Sequence, residues 1–200
     1  MLISKNISLF IKFINWYWKD KKMVGAVCPS SSSLAKKMLK NVDFKKADVI
    51  VEFGAGTGVL TKRILEQMNE NAILFVFELN YSFYQNLKDE IQDKRLVLIY
   101  DSAEFMHKYL NTYEITHVDY VISSLPLTNL SNKLKRKILQ HTHASLKENG
   151  RYIQFQYSLN SKKHIESVFQ QVYLNFTLFN LPPAFVYTCV KGYNTYSHEI

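Results

Sequence analysis

The chain has 200 residues, of which 47% are hydrophobic, and a formal net charge of +8. This length suits one domain that buries a substantial core without the help of disulfides. The two cysteines and six histidines show no spacing typical of a disulfide framework or a metal site, so we expect a reducing, cytosolic setting and no metal.

The positive charge is concentrated at the amino terminus. Residues 1–40 contain eight lysines and one acid, Asp20, whereas residues 41–200 contain seventeen basic and sixteen acidic side chains. A protein that wraps nucleic acid over its main face carries a basic surface on that face. The distribution argues against a nucleic-acid partner and favours a basic arm that contacts something anionic.

Residues 1–22 have the pattern of an amphipathic helix. The apolar run is interrupted too often for a membrane span of roughly 20 residues, and no cleavage site of a secretory signal follows it. A narrow polar face with lysines and a wide apolar face with aromatic residues are typical of a helix that lies in a membrane surface. We therefore expect a membrane-binding helix at 1–22 and one domain at 23–200; a helix packed on its own domain is the alternative. The polar face comprises Ser4, Lys5, Ser8, Lys12, Asn15 and Lys19, and the apolar face includes Ile3, Ile7, Phe10, Ile11, Ile14, Tyr17 and Trp18.

A glycine-rich turn follows the first predicted strand, at residues 49–53. Gly54, Gly56 and Gly58 come directly after this apolar, β-branched run, and a helical period begins at Leu60. A strand, a glycine turn and a helix in this order let the backbone approach a ligand closely beside a helix N-terminus. The glycine spacing alone is a weak signal, because simple tight turns share it.

Three acidic residues near strand ends strengthen the signal. Glu52 stands two positions before the glycines, Glu78 ends the second strand, and Asp101 ends the third. A carboxylate after the second strand is placed to hold ribose hydroxyls. The pattern E-x-G-x-G-x-G with these acids resembles S-adenosylmethionine-dependent methyltransferases, in which the residue at the Asp101 position contacts the adenine amino group. A nicotinamide-dependent dehydrogenase is the alternative, although Val59 occupies the place of its last glycine.

The remaining pattern alternates strands and helices. This order predicts an α/β fold with a doubly wound, Rossmann-like, seven-stranded sheet, an antiparallel C-terminal hairpin and the N-terminal amphipathic helix, with the ligand at the carboxyl ends of the parallel strands. Strands are predicted at 49–53, 73–78, 96–100, 118–123 and 150–157, the hairpin at 172–179 and 184–190, and helices after Pro29 and at 58–69, 81–92, 102–110, 131–147 and 161–170.

Three short segments suggest a narrower family. The sequences "VISSLPLTNL" (121–130), "VGAVCPSS" (24–31) and "NLPPA" (180–184) together closely resemble soluble bacterial phospholipid N-methyltransferases. Those enzymes methylate phosphatidylethanolamine stepwise toward phosphatidylcholine, and they carry a basic amphipathic N-terminal helix. The resemblance implies S-adenosylmethionine as cofactor, a phospholipid substrate, and a cytoplasmic protein that is peripheral on the inner face of the cell membrane.

The resemblance also implies a set of site residues. On the substrate side it points to the loop after the fourth strand, where Leu125, Pro126 and Leu127 leave an apolar pocket, and to tyrosines that face a methylated ammonium. The implied cofactor-binding residues are Glu52, Gly54, Ala55, Gly56, Gly58, Glu78, Leu79, Asp101, Ser102, Ala103 and Ser123. The implied substrate-side residues are Ser123, Ser124, Leu125, Pro126 and Tyr157, with Tyr187, Tyr17 and Trp18 as further aromatic candidates.

A ribosomal RNA adenine dimethyltransferase is the main alternative. Its Asn-Leu-Pro-Tyr/Phe loop binds the base amine with a polar group and stacks an aromatic ring on the base, whereas this chain has serine and Leu127 at those places. Such enzymes also usually append a helical C-terminal domain. A methyltransferase for another small or lipid amine and a non-catalytic membrane scaffold remain further alternatives.

Overall fold

The computed structural model describes residues 29–177 and 183–192, in which strands and helices alternate. The predicted helix at 1–22 and its boundary with the domain lie outside these residues. The strands are β1 (Val49–Phe53), β2 (Ile73–Phe77), β3 (Leu96–Ile99), β4 (Val118–Ser123), β5 (Leu146–Gln156), β6 (Gln171–Thr177) and β7 (Ala184–Val190). The α-helices are α1 (Pro29–Leu39), α2 (Val59–Leu65), α3 (Tyr81–Glu90), α4 (Met106–Thr112), α5 (Asn132–Ser145) and α6 (Lys162–Glu166), with 3₁₀ turns at Ala103–Phe105 and Leu127–Asn129.

The seven strands form one mixed sheet in the order β3-β2-β1-β4-β5-β7-β6. Strands β1 to β5 are parallel, whereas β7 pairs antiparallel with both β5 and β6. This arrangement confirms the predicted fold class and the C-terminal hairpin. The chain order reverses between β1 and β4, and in such sheets the crevice for a ligand opens at the carboxyl ends of the strands beside that point.

Two hydrophobic cores cover the two faces of the sheet. Helices α1, α2 and α3 pack on one face, where Leu34, Leu60 and Leu87 are buried. Helices α4, α5 and α6 pack on the other face, where Met106 and Leu139 are buried. All five residues of β1 are buried, because a central parallel strand has helices on both sides. The central strands, whose ends border the crevice, are therefore held rigidly by the helices packed on both faces of the sheet.

Several predicted boundaries were wrong by a few residues. The helix predicted at 131–147 ends at Ser145, and β5 begins at Leu146 instead of residue 150, because Leu146 already pairs with Val118 before the register shifts. The helix predicted at 102–110 begins as a 3₁₀ turn, and the helices predicted at 58–69 and 161–170 are shorter. Within the described part of the chain, none of the helices combines the length and the apolar character needed to cross a bilayer.

Candidate functional site

The glycine loop connects β1 to α2 and requires left-handed backbone. Gly54, Gly56 and Gly58 have φ values of +74°, +55° and +76°, a region that other residues enter only with strain. A Cβ on Gly54 would lie 3.3 Å from the Leu125 side chain, and a Cβ on Gly58 would lie 2.5 Å from Leu87. The glycines thus let this loop turn while it lies against both α3 and the loop that follows β4, which we call the β4 loop.

Glu78 joins the glycine loop to the end of β2. Its Oε2 accepts a hydrogen bond of 2.8 Å from the Gly56 N–H, and its Oε1 accepts one of 2.7 Å from the Asn80 N–H. The residue is only 7% exposed, so these two backbone donors fix the carboxylate in the crevice. Each oxygen keeps a lone pair that can accept a hydroxyl of a ligand.

Asp101 occupies the corresponding position after β3. Its Oδ1 accepts a hydrogen bond from the Ser102 N–H at 2.7 Å, and its Oδ2 accepts one from the Tyr109 hydroxyl at 2.8 Å. The latter bond raises the pKa of the Tyr109 hydroxyl. Ala103 is buried directly behind. The predicted trio 101–103 therefore lies at the carboxyl edge of the sheet, and Tyr109 is a partner that the sequence did not reveal.

An exposed apolar shelf lies between the ends of β2 and β3. The Leu79 side chain is 66% exposed, and the rings of Tyr81 and Tyr84 lie 5.4 Å and 5.3 Å from the ring of Tyr100. Because the shelf directly follows Glu78 in the chain and Tyr100 precedes Asp101, a flat ring could stack there while its polar edge meets a carboxylate. Leu79 was predicted from the resemblance; the tyrosines were not.

Glu52 is fully buried beneath the glycine loop. Both of its carboxylate oxygens lack a hydrogen-bond partner among the described residues. Burial raises its pKa to about 8, although the nearby Thr61 hydroxyl lowers the pKa; the charge of Glu78 raises it further. A buried carboxyl group without partners is costly, and its presence beside a ligand loop marks a functional position.

The loop after β4 carries the predicted substrate-side residues, and the structure separates their environments. Ser123 is fully buried, and its Oγ accepts a 3.3 Å hydrogen bond from the Leu125 N–H. Ser124, Leu125 and Pro126 are partly or fully exposed, and the Ser124 N–H donates to the Phe53 carbonyl at 2.9 Å. The loop therefore lies next to the glycine loop, and Ser124 is the more exposed of its two serines.

Two of the aromatic and apolar expectations for the substrate side, Leu127 after β4 and Tyr187 in β7, were wrong. Leu127 is 0% exposed, because the 3₁₀ turn at Leu127–Asn129 directs its side chain into the core rather than into an apolar pocket. Tyr187 is also fully buried in the core, and burial raises its pKa to about 12, so it forms no wall of an open site. Tyr157 is partly exposed just past the end of β5, and its ring packs edge-on against Phe155, with centroids 5.4 Å apart.

Sequence reasoning missed Gln154 and Gln156, which hold the β4 loop in place. Their Nε2 atoms donate to the Leu125 carbonyl at 3.1 Å and 2.8 Å, and both residues are buried on the same face of β5. Polar residues at every second position of an otherwise apolar strand were a signal that could have revealed them.

A cavity of substantial size lies elsewhere in the described part of the chain. It measures about 490 Å³ and opens between α4 and α5 at the amino edge of the sheet, where His107, Glu114 and Ser145 line it. It shares no residue with the glycine loop. In the described ranges no group of three or more histidine, cysteine or acidic side chains is arranged to hold a metal ion.

The crevice residues form an acidic cradle. Glu52, Glu78 and Asp101 all reach the carboxyl edge of adjacent strands, with the glycine loop between them. Such a cradle can bind a nucleoside through its hydroxyls and its ring, and it attracts a ligand that also carries positive charge.

Comparison with known proteins points to methyl transfer. The sequence model of the ribosomal RNA adenine dimethylase family matches residues 29–156. An ornithine lipid N-methyltransferase from Singulisphaera acidiphila is 25% identical over 182 residues, which cover 90% of this chain and 95% of that protein. The ribosomal RNA small subunit methyltransferase A of Malacoplasma penetrans is 32% identical over 147 residues, 72% of this chain but only 50% of that protein.

The fold is shared with solved methyltransferases. The structure of the T. thermophilus 16S rRNA N2 G1207 methyltransferase in complex with AdoMet and guanosine superimposes with a TM-score of 0.62 at 16% identity, covering 84% of this chain and 44% of that one.

Proposed function

The chain belongs to the ribosomal RNA adenine dimethylase family and is an S-adenosylmethionine-dependent methyltransferase, and from this premise we propose that its methyl acceptor is the amine of a membrane phospholipid. Phosphatidylethanolamine and its mono- and dimethylated forms are the proposed substrates. The observation that carries the proposal is the β4 loop, which leaves Ser124 partly exposed and buries the side chain at the place of the base-stacking ring.

The cradle fits S-adenosylmethionine by its own chemistry. Glu78 has lone pairs free for ribose hydroxyls, and Asp101 with the shelf of Leu79 suits an adenine ring. The unpartnered Glu52 carboxyl lies where positive charge on a ligand would stabilise its ionised form. When bound, the cofactor supplies a methyl group activated by a sulfonium. The chain's own part is to hold that group at the carboxyl ends of β1 and β4.

The β4 loop suits a flexible amine better than a nucleobase. A base taken out of a helix is held between aromatic or apolar walls, and each stacked base gains about 1–3 kcal/mol. Leu127 cannot provide such a wall, because its side chain lies in the core. Ser124, Leu125 and Pro126 instead form a small surface with one hydroxyl, to which a headgroup on a flexible glycerol linker can adapt.

Catalysis would consist mainly of placing the amine in line with the methyl group. A primary ammonium has a pKa of about 10 and must release a proton before its lone pair can attack. Apolar surroundings such as Leu125 and Pro126 lower the pKa of the ammonium by disfavouring its charge. Ser124, Leu125 and Pro126 would hold the deprotonated amine in line with the methyl group, which a bound cofactor would supply as the electrophile. Such positioning lowers the barrier of the reaction by holding the amine close to the methyl group, and it needs no dedicated base.

Two further observations favour a lipid acceptor. The ornithine lipid enzyme aligns with nearly its whole length, so the likeness does not depend on the cofactor half alone. The basic, amphipathic pattern of residues 1–22 matches a surface with anionic headgroups, where each lysine adds about 1 kcal/mol of attraction. We accordingly propose that the enzyme works at the cytoplasmic membrane surface.

Methylation of adenine in ribosomal RNA is the second candidate. The family match and the Malacoplasma relative favour it, because both describe RNA enzymes. The chain spans about half the length of that relative. The feature that speaks against this candidate is the described loop, which lacks the ring expected for a base.

A transfer assay with labelled S-adenosylmethionine tests the two candidates side by side. The assay offers the enzyme four acceptors in parallel. They are liposomes with phosphatidylethanolamine, liposomes with ornithine lipid, liposomes with only phosphatidylcholine, and ribosomal RNA. We expect label in phosphatidylethanolamine and none in phosphatidylcholine, whose nitrogen is already fully methylated. Label only in RNA would reject a lipid acceptor, and label only in ornithine lipid would retain the lipid class but replace the proposed headgroup. The Glu78→Ala variant, with its ribose contact removed, is the inactive control.

A further inference from the structure

The amides of Gln154 and Gln156 bridge two carbonyl groups across the end of the sheet. Both Nε2 atoms donate to the Leu125 carbonyl, and both also donate to the Phe155 carbonyl, at 2.5 Å and 2.7 Å. Strand β4 pairs with β5 only as far as Ser123 and Gln154. The two side chains therefore extend the hydrogen bonding of the sheet at the point where the β4 backbone turns away.

Each glutamine is also held by its oxygen. The Tyr152 hydroxyl donates to Gln154 Oε1 at 2.6 Å, and the Thr128 hydroxyl donates to Gln156 Oε1 at 3.3 Å. These contacts fix which end of each amide faces Leu125. Because Gln154 is 0% and Gln156 4% exposed, water does not compete with them. We call this pair of buried amides, Gln154 and Gln156, the glutamine clamp.

The clamp uses up the hydrogen-bonding capacity of the Leu125 carbonyl. That oxygen also accepts a 2.8 Å bond from the Leu127 N–H, so three donors share its two lone pairs. The Pro126 carbonyl accepts from the Asn129 N–H at 2.8 Å, and the Ser123 hydroxyl accepts from the Leu125 N–H. Among the described residues, the hydroxyl and the carbonyl of Ser124 have no hydrogen-bond partner.

We infer that the glutamine clamp orients the substrate amine, because it withdraws the Leu125 carbonyl from the site and leaves Ser124 to accept the hydrogen bond of that amine. Ser124 is then the group that touches substrate, and Gln154 and Gln156 are positioning residues that act through the loop. The inference rests on the proposed lipid acceptor and adds the group that orients it. It also explains why the loop needs no asparagine, since the oxygens of Ser124 can accept the hydrogen bond of the amine while the Leu125 carbonyl is saturated.

A double-mutant cycle on phosphatidylethanolamine liposomes tests the inference. The variants are Ser124→Ala, Gln156→Leu and the combination, with Gln140→Leu, an exposed residue of α5, as the matched control. We expect each single variant to lower kcat about tenfold, the change that corresponds to about 1.4 kcal/mol. The combination should be no slower than Ser124→Ala alone, because both changes remove the same orientation of the amine. The affinity for S-adenosylmethionine, measured by calorimetry, should stay unchanged in all four variants.

The possible results distinguish a clamp that orients the substrate amine from glutamines that only stabilise the fold. Losses that multiply in the combination, a changed cofactor affinity, or full kcat in Gln156→Leu would each overturn the inference. If Gln156→Leu unfolds, Gln156→Met keeps the length of the side chain without a donor and takes its place in the cycle. If the parent enzyme methylates no lipid, the proposed lipid acceptor itself is refuted. If the parent methylates lipid but the losses of the two single variants multiply in the combination, only the role of the glutamine clamp is refuted.

Discussion

Replacing Glu52 with glutamine tests how a buried carboxyl group affects stability in the absence of cofactor. Burial raises the pKa of Glu52 from 4.5 to about 8, while its oxygens have no hydrogen-bond partners in the described part of the chain. A carboxyl group whose pKa is raised by folding contributes its full stability below pH 4.5 and loses that contribution as pH rises through about 8. Glutamine stays neutral and removes this pH dependence.

The size of the effect follows from the two pKa values. A difference between 4.5 and about 8 corresponds to about 5 kcal/mol once the pH exceeds both, and to about 1.4 kcal/mol at pH 5.5. The free energy of unfolding of Glu52→Gln should therefore exceed that of the parent by a margin that grows by about 3 kcal/mol between pH 5.5 and 8.5. This is a large share of the stability of a typical domain, which is about 5–15 kcal/mol.

Urea unfolding of the cofactor-free protein at several pH values measures this margin. Glu70→Gln serves as the matched control, because it removes a carboxylate of the same kind from an exposed position. Parallel stability profiles for Glu52→Gln and the parent would refute the reasoning. They would mean that Glu52 is ionised in the folded protein and finds stabilising partners there.

Four further changes test the cofactor site and the arm. Glu78→Ala should abolish S-adenosylmethionine binding in calorimetry while circular dichroism stays unchanged, because Glu78 is held by the glycine loop but supports no core. Gly54→Val should also abolish binding with the fold retained, since its side chain would enter the space next to Leu125; normal affinity in either variant would disprove the assignment. Gly58→Ala should lower the free energy of unfolding by about 2 kcal/mol, because its φ is +76° and its Cβ meets Leu87, and an unchanged urea midpoint would contradict this. Removal of residues 1–20 should abolish sedimentation with anionic liposomes but not cofactor binding; a truncated protein that still sediments would make the arm structural.

The fold was predictable because its signals are local. Apolar β-branched runs, glycines that need positive φ and acids at strand ends repeat along the chain in the order that a doubly wound sheet requires. The boundaries were less predictable: the start of β5 at Leu146 depends on a register shift against Val118, and that pairing joins residues far apart in sequence.

The candidate site was predictable where a residue acts through its position on the chain. Glu52, the three glycines, Glu78 and Asp101 were identified because each lies near the end of a strand or in the few residues that follow it. Gln154 and Gln156 were not identified, because their role comes from reaching the Leu125 carbonyl, 29 and 31 residues away. The distance between two such groups is set by how β4 and β5 pair, and a sequence pattern does not contain it.

By itself the sequence determined the order of strands and helices, the glycine loop and its acidic neighbours, since hydrophobic periodicity and backbone freedom belong to each segment alone. Tertiary structure decided which hydroxyl of the β4 loop is accessible. Ser123 and Ser124 are identical side chains at adjacent positions, yet the pleat of β4 buries one and the turn toward Leu125 exposes the other. The burial of Leu127 in the core was decided in the same way, because only the packed helices show which side of a turn faces the interior.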